Sequence, residues 1–292
     1  MCPFQKQEDN KVRLCYQVAT PDVAIAPSVT AFQGELEQSF AALKKIGYDG
    51  VEFMTLDPKR LDWPRIKKLA ADYGLKVVLV CTGEVFGQLQ LSFMNPEARV
   101  RQEARQRVKE IIDFAGFLGA KVNIGRVRGQ YREGEPREKS YGWAVEAFQD
   151  ISDYAAPQGV AIALETVSLM QTNFINTLQE AVQAIKDTNR DNFRLMMDVF
   201  HLNLEEKNLL EAIKTYQPYN IHVHLADNNR RYPGQCGLDF RRIIRTFHDT
   251  GYDDAFCTEI FQLPDQETAA KGAYQCLAPL FEEIYGRQAG KI

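Results

Sequence analysis

Several things are missing from this chain of 292 residues, and each absence narrows its function. No apolar run approaches the roughly 20 residues that a membrane-spanning helix needs. The longest are short, such as Val77-Val78-Leu79-Val80-Cys81. The first eleven residues are polar and lack the apolar centre of a secretory leader. Six cysteines are scattered without a Cys-x-x-Cys pair. They read as reduced thiols of a cytoplasmic protein, not as a disulfide framework or a thiolate zinc site. Positive charge is not in surplus: 35 Lys and Arg against 39 Asp and Glu leave a formal charge of −4. There is therefore no global field for gripping nucleic acid or an anionic membrane. Histidine is scarce, at four residues. No stretch rich in Pro, Gly or Ser reads as a linker, and no glycine fingerprint for phosphate follows the first predicted strand.

What is present is an ordinary globular balance, 45% hydrophobic and 25% charged. Short β-branched or apolar runs alternate with longer amphipathic stretches. The patterning predicts strands at Val12–Val18, Gly50–Met54, Lys76–Cys81, Lys121–Gly125, Val160–Glu165, Arg194–Val199, Asn220–Ala226 and Ala255–Ile260. Helical periodicity predicts helices over Gly34–Ile46, Asp62–Tyr73, Pro96–Leu118, Glu138–Ala155, Thr177–Asp187, Lys207–Tyr216, Asp239–Asp249 and Thr268–Tyr285. Eight strand–helix units, repeating on average about every 35 residues, specify a single-domain (β/α)8 TIM barrel over residues 1–292, with 1–10 as a loosely ordered N-terminal segment. An open doubly wound sheet is the alternative, and the count of eight together with the missing phosphate fingerprint argues against it. Two strand-to-helix segments, Thr82–Asn95 and Arg126–Pro136, are long and should sit at the C-terminal mouth of the barrel.

In a parallel barrel, chemistry gathers at the C-terminal strand ends. Four consecutive strands end in groups that bind metals: Glu165, Asp198, His224 and Glu259. Each follows an apolar run in which an unpaired charge would be costly to bury. Converging on the barrel axis, two glutamates, one aspartate and one imidazole solve that problem by holding one divalent ion. The alternative for any one of them is a salt bridge or a helix cap. His222, two residues before His224, points to the same side one layer lower and reads as a hydrogen-bonded supporting residue; His248 lies on a polar helix and reads as solvated.

These residues carry a resemblance. The strings Gly47-Tyr48-Asp49-Gly50-Val51-Glu52, Leu164-Glu165, Asp198-Val199-Phe200-His201, His224-Leu225-Ala226-Asp227-Asn228-Asn229-Arg230 with Pro233-Gly234, and Thr258-Glu259 occur in order across nearly the whole chain. In this the chain resembles the sugar phosphate isomerase/epimerase superfamily, the xylose-isomerase-like barrels that include D-tagatose 3-epimerase and inosose isomerase. The resemblance implies that Glu165, Asp198, His224 and Glu259 bind Mn, Co, Zn or Mg. It implies that Glu165 and Glu259 exchange protons with a small sugar or cyclitol, and that His201 and Arg230 bind it. It also favours a homo-oligomer, a dimer or tetramer. Two departures leave the substrate open: Gln171 stands where those epimerases carry a glutamate, and Cys236 where a second glycine is commoner.

The chemistry expected is proton abstraction beside a carbonyl through an enediolate stabilised by the metal. Return of the proton to the same carbon gives epimerisation, and to its neighbour isomerisation. Elimination by a lyase or dehydratase at the same site is the rival. A non-catalytic sugar-binding barrel is disfavoured by the intact ligand set. An AP endonuclease is disfavoured by four histidines and an acidic charge. Further residues carry weaker expectations. Glu52 and Glu84 line the pocket or, for Glu52, form a hydrogen bond low in the barrel. Phe86, Phe93 and Tyr131 wall a sugar or pack their loops. Arg126, Arg128, Arg132 and Arg137 meet an anionic group or form a solvated loop.

Overall fold

The computed structural model describes residues 12–286, so the expectation for segment 1–10 lies outside the described residues. The strands are β1 (Arg13–Ala19), β2 (Gly50–Met54), β3 (Lys76–Cys81), β4 (Lys121–Ile124), β5 (Ile162–Glu165), β6 (Phe193–Asp198), β7 (Asn220–Leu225) and β8 (Ala255–Thr258). All neighbours pair in parallel, and β8 pairs back onto β1, closing the barrel in sequence order. The helices are α1 (Leu36–Ile46), α2 (Trp63–Asp72), α3 (Gly83–Gly87), α4 (Ala98–Leu118), α5 (Arg137–Ala155), α6 (Leu178–Thr188), α7 (Val199–Glu205), α8 (Leu209–Tyr216), α9 (Phe240–Asp249) and α10 (Gln266–Tyr285).

The eightfold architecture is the one the patterning predicts. Four of its strands are shorter than expected, β4 and β7 by one residue and β5 and β8 by two. β5 starts at Ile162 and β8 stops at Thr258, which leaves Glu259 in the first position beyond the ladder. The predicted Thr82–Asn95 loop contains the short helix α3. The predicted sixth strand ends one residue early because Asp198 accepts a hydrogen bond from the Phe200 amide and caps α7. A carboxylate cap of this kind stabilises a helix start by about 1 kcal/mol. It also puts His201 on a helix.

Alternation along the strands separates two buried faces. Leu14, Tyr16, Val18, Phe53, Ile162, Leu164, Leu195, Val223 and Phe256 face outward and pack under the helices. A smaller cluster contains Cys15, Leu79, Cys81, Ala163, Met196, Ala255 and Cys257. Between these mostly small or unbranched residues lie the polar side chains Gln17, Glu52, Asn123 and His222, none more than 2% exposed. At the close of α1, Gly47 takes a left-handed conformation (φ 117°), and its amide caps the helix through Leu43 and Lys44. A Cβ there would lie 2.4 Å from the Tyr274 hydroxyl, so glycine is required by conformation and by space. Among the described residues, no helix is long and apolar enough to cross a membrane.

Candidate metal centre at the barrel mouth

The register of the sheet assembles the site. Asp198 pairs with His224 across β6 and β7, and Glu165 with Met196 across β5 and β6. One atom each from Glu165, Asp198, His224 and Glu259 falls within 4.8 Å of the others. His224 Nδ1 is the hub, 2.9 Å from Glu259 Oε2, 3.7 Å from Asp198 Oδ2 and 4.0 Å from Glu165 Oε1. The structure thus brings together the four side chains that the sequence places at strand ends.

Each carboxylate is anchored by one oxygen, which leaves the other to converge. Asn123 Nδ2 donates to Glu165 Oε2 at 3.0 Å. The Phe200 amide donates to Asp198 Oδ1 at 2.8 Å. The Thr30 hydroxyl donates to Glu259 Oε1 at 2.9 Å. The imidazole is anchored likewise. His224 Nε2 lies 2.9 Å from both oxygens of Glu52, which also meets His222 Nε2 at 2.8 Å, Gln17 Nε2 at 2.8 Å and the Cys81 thiol at 2.7 Å. An ionised carboxylate only accepts, so it selects the Nε2–H form of His224 and turns the Nδ1 lone pair toward the three carboxylates. A histidine held from behind by a carboxylate is the arrangement that orients metal ligands. The donor set therefore fits a divalent cation: three carboxylate oxygens and one imidazole nitrogen, each held in place by its outer partner.

The charges are unequal. Burial, and then the neighbouring Glu259, push Glu165 up to about 7. Burial also pulls Glu259 and Asp198 upward, but Arg230 together with His224, and for Asp198 also His201, outweighs it, so Glu259 lies below its ordinary value and Asp198 well below. His224 is raised well above the ordinary imidazole value; Glu52 and Glu259 overcome burial. A cation entering this cluster competes with that proton.

Arg230 and His201 reach the same cluster. Arg230 Nη1 donates to Asp198 Oδ2 at 2.7 Å, its Nη2 pairs with Glu259, and the guanidinium carbon lies 4.7 Å from the centre of the Phe200 ring. His201 Nδ1 accepts from the Ser168 amide at 3.2 Å, and burial lowers the ring to about 4, so it is neutral with its hydrogen on Nε2. That nitrogen sits 4.0 Å from Asp198 Oδ2.

The other expectations divide. Glu52 and His222 lie in the barrel interior beneath His224 rather than at the mouth. Glu84 pairs with Arg126 at 3.1 Å. Phe93 is buried against Phe148, and Tyr131 packs edge-on against Phe174, so both serve loop packing. The arginines after β4 are not one solvated cluster. Arg132 and Arg137 are exposed, but Arg128 is fully buried and donates to the Gly125, Phe174 and Ile175 carbonyls at 2.7–3.0 Å. Gln171, Cys236 and His248 are exposed. Sequence reasoning missed Thr30, Gln17 and Asn123. For the last two, the signal was a polar residue at an inward position of an otherwise apolar strand; Thr30 lies in a loop and left none.

Comparison with known proteins agrees with the barrel architecture. The family model described as "Xylose isomerase-like TIM barrel" matches residues 40–280. An L-ribulose 3-epimerase of Mesorhizobium japonicum is 28% identical over 248 residues, covering 84% of this chain and 83% of the relative. The inosose isomerase of Bacillus subtilis is 27% identical over 282 residues, covering 90% and 94%. Among solved structures, an L-ribulose 3-epimerase superposes with a TM-score of 0.79 at 24% identity, covering 94% of this chain and 96% of that one. The IOLI protein, crystallised with a zinc atom, gives 0.74 at 21%, covering 94% and 100%.

Proposed function

The chain belongs to the xylose isomerase-like TIM barrel family, and from that premise we propose that it is a divalent-metal-dependent isomerase or epimerase of a sugar or cyclitol. The observation that carries the reading is the pair Glu165 and Glu259. They stand in one cluster with Asp198 and His224, each with one oxygen committed to a neutral donor and the other turned inward. Relatives that act as ketose 3-epimerases and inosose isomerases support it.

In this reading Glu165, Asp198, His224 and Glu259 hold one ion, Mn, Co, Zn or Mg. When bound, the ion supplies Lewis-acid stabilisation of negative charge on adjacent substrate oxygens. One of the two glutamates, ionised, takes the proton beside the carbonyl, and the other, carrying a proton of its own, delivers that one from the opposite face. Asn123 and Thr30 hold these carboxylates in place through the step. Arg230 carries fixed donors and a permanent charge, suited to an oxygen that becomes negative as the proton leaves. Neutral His201 donates its Nε2–H to a substrate hydroxyl. Assembly as a dimer or tetramer and a cytoplasmic location belong to the same proposal, and light scattering tests the first.

The deciding experiment is incubation of protein loaded with each of the four ions with a panel of ketoses, inososes and oxo-glycosides in D₂O. Deuterium should enter at least one compound at constant carbon skeleton. Glu165→Gln and Glu259→Gln should each abolish uptake while keeping the circular dichroism of the parent. Uptake followed by loss of water would move the assignment to a dehydratase. No uptake under any loading, or wild-type uptake in either variant, would sink the proposal.

A further inference from the structure

Arg230 is held in an unusual way. It is 6% exposed, lies in the loop between β7 and α9, and has a positive φ of 59°, a conformation that disfavours every residue with a side chain except Asn and Asp. Such strain persists only where the surroundings over-determine it. The surroundings here converge on one side chain. Asp227 is fully buried, and its carboxylate accepts four backbone amides. Asn228 at 2.9 Å and Leu238 at 3.3 Å donate to Oδ1; Gly234 at 3.0 Å and Cys236 at 2.9 Å donate to Oδ2. Its main chain adds two more bonds, from its own amide to the Arg231 carbonyl and from the Arg230 amide to its carbonyl.

Both limbs of the loop are thus drawn onto Asp227, and the tip is pinned where the Phe261 amide donates to the Arg230 carbonyl at 2.8 Å, two residues past Glu259. The far limb turns at Gly234, with φ of 95°, where a Cβ would lie 3.0 Å from the Cys276 sulfur. The side chain this framework delivers into the site is Arg230, to Asp198 and Glu259.

We infer that Asp227 is a positioning residue: its carboxylate winds residues 228–238 into the one conformation that seats the Arg230 guanidinium between Asp198 and Glu259. The inference rests on the proposed role of Arg230, but its structural part stands on the hydrogen bonds alone. Asp227→Asn keeps the size of the side chain and replaces one oxygen by an N–H₂ group that faces amide donors. Two backbone amides then lose their acceptor, and the loop slackens without any change to the barrel core.

Three readouts on the full-length protein test this. Amide hydrogen exchange of peptides within 228–238 should speed up at least tenfold in Asp227→Asn, with β7 and β8 peptides unchanged. Mn²⁺ titration followed by electron paramagnetic resonance should show tighter binding in Arg230→Ala, because a cation beside Asp198 and Glu259 opposes a second one. Asp227→Asn should shift affinity in the same direction, and the double variant should match Arg230→Ala within about twofold. Deuterium uptake by the responsive sugar should fall at least tenfold in kcat in Asp227→Asn with KM within about threefold, and the double variant should be no slower than Arg230→Ala. If Asp227→Asn does not fold, Gly234→Ala loosens the same loop from its far limb and should give the same pattern. A slackened loop with wild-type Mn²⁺ affinity, or effects of the two variants that multiply, would overturn the inference. If no sugar takes up deuterium, the proposed function fails, while hydrogen exchange and the Mn²⁺ cycle still decide the role of Asp227.

Discussion

Replacing Glu52 by Gln removes a single charge from the barrel interior and should weaken metal binding from a distance. The Glu52 carboxylate is 0% exposed and faces four donors, His222, His224, Gln17 and Cys81. A glutamine offers one oxygen and one N–H₂ group, so two outcomes exist. If the N–H₂ faces the imidazoles, His224 must give up its Nε2 hydrogen and take it on Nδ1, the atom turned toward Glu165, Asp198 and Glu259. If the oxygen faces the imidazoles, Gln17 must turn its own amide over and present its Nε2–H to the Thr30 hydroxyl, which now contacts Gln17 Oε1. Both histidines then donate to a neutral acceptor. Bonds to a charged acceptor are worth about 1.5–3 kcal/mol and neutral ones about 0.5–1.5, so two such exchanges lose roughly 2 kcal/mol. Either way affinity should drop about 10–100-fold, the scale for a lost outer partner of a metal ligand. Calorimetric titration of metal-free wild type and Glu52→Gln with Mn²⁺ measures it, with far-ultraviolet circular dichroism as a check on folding. A folded variant binding within twofold of wild type would refute the claim that Glu52 orients His224.

Other expectations follow from the same contacts. Arg230→Ala should lower kcat and kcat/KM together by about 2–4 kcal/mol of transition-state stabilisation, the scale for one lost oxyanion donor, whereas His201→Ala should mainly raise KM; both should retain bound metal on elemental analysis. Saturating metal at about 100 times its dissociation constant should stabilise the fold by about 2.7 kcal/mol, seen as a rise in Tm that chelator reverses and that Asp198→Ala abolishes. At the opposite end of the barrel, Lys121 pairs with Asp254 and donates to the Ile221 carbonyl at 2.8 Å. Burial would raise Asp254, but Lys121 holds it below its ordinary value. The stability this pair contributes is present above the unfolded carboxylate value of about 3.9 and is lost as pH falls through the lower folded value. Lys121→Met should therefore destabilise by about 2–3 kcal/mol at neutral pH, somewhat less than a fully dry pair, and urea melts should show the gap closing below about pH 4. A gap that stays constant to pH 2 would show the pair to be irrelevant.

The fold was legible because burial on both faces of a parallel sheet writes short apolar runs, and amphipathic helices write a different period between them. The convergence of Glu165, Asp198, His224 and Glu259 was legible for a related reason: each charge stands at the end of a run that has no place for it. What escaped were contacts between distant segments. Thr30 lies 229 positions from Glu259, and nothing local marks its hydroxyl as that carboxylate's partner. Arg128 was misread because a run of arginines resembles a solvated surface; its burial is set by three carbonyls, two of them more than 40 positions away. The end of β6 was misplaced by one residue because the side chain of Asp198 starts a helix while its backbone still pairs in the sheet.

The small, sulfur-rich packing inside the barrel has a practical consequence. Cys15, Cys81 and Cys257 are buried, and burial raises each thiol well above its ordinary value, so none offers a thiolate at neutral pH. Cys236, by contrast, is exposed in the loop beyond Arg230. Among the described cysteines, an alkylating reagent therefore meets one exposed thiol, a half-buried one at Cys276 and three sealed inside the barrel. The surface thiol reacts at the pace of the reagent, and the barrel thiols only when the staves part. The mass added over time then becomes a clock for barrel opening, read without any label, substrate or metal.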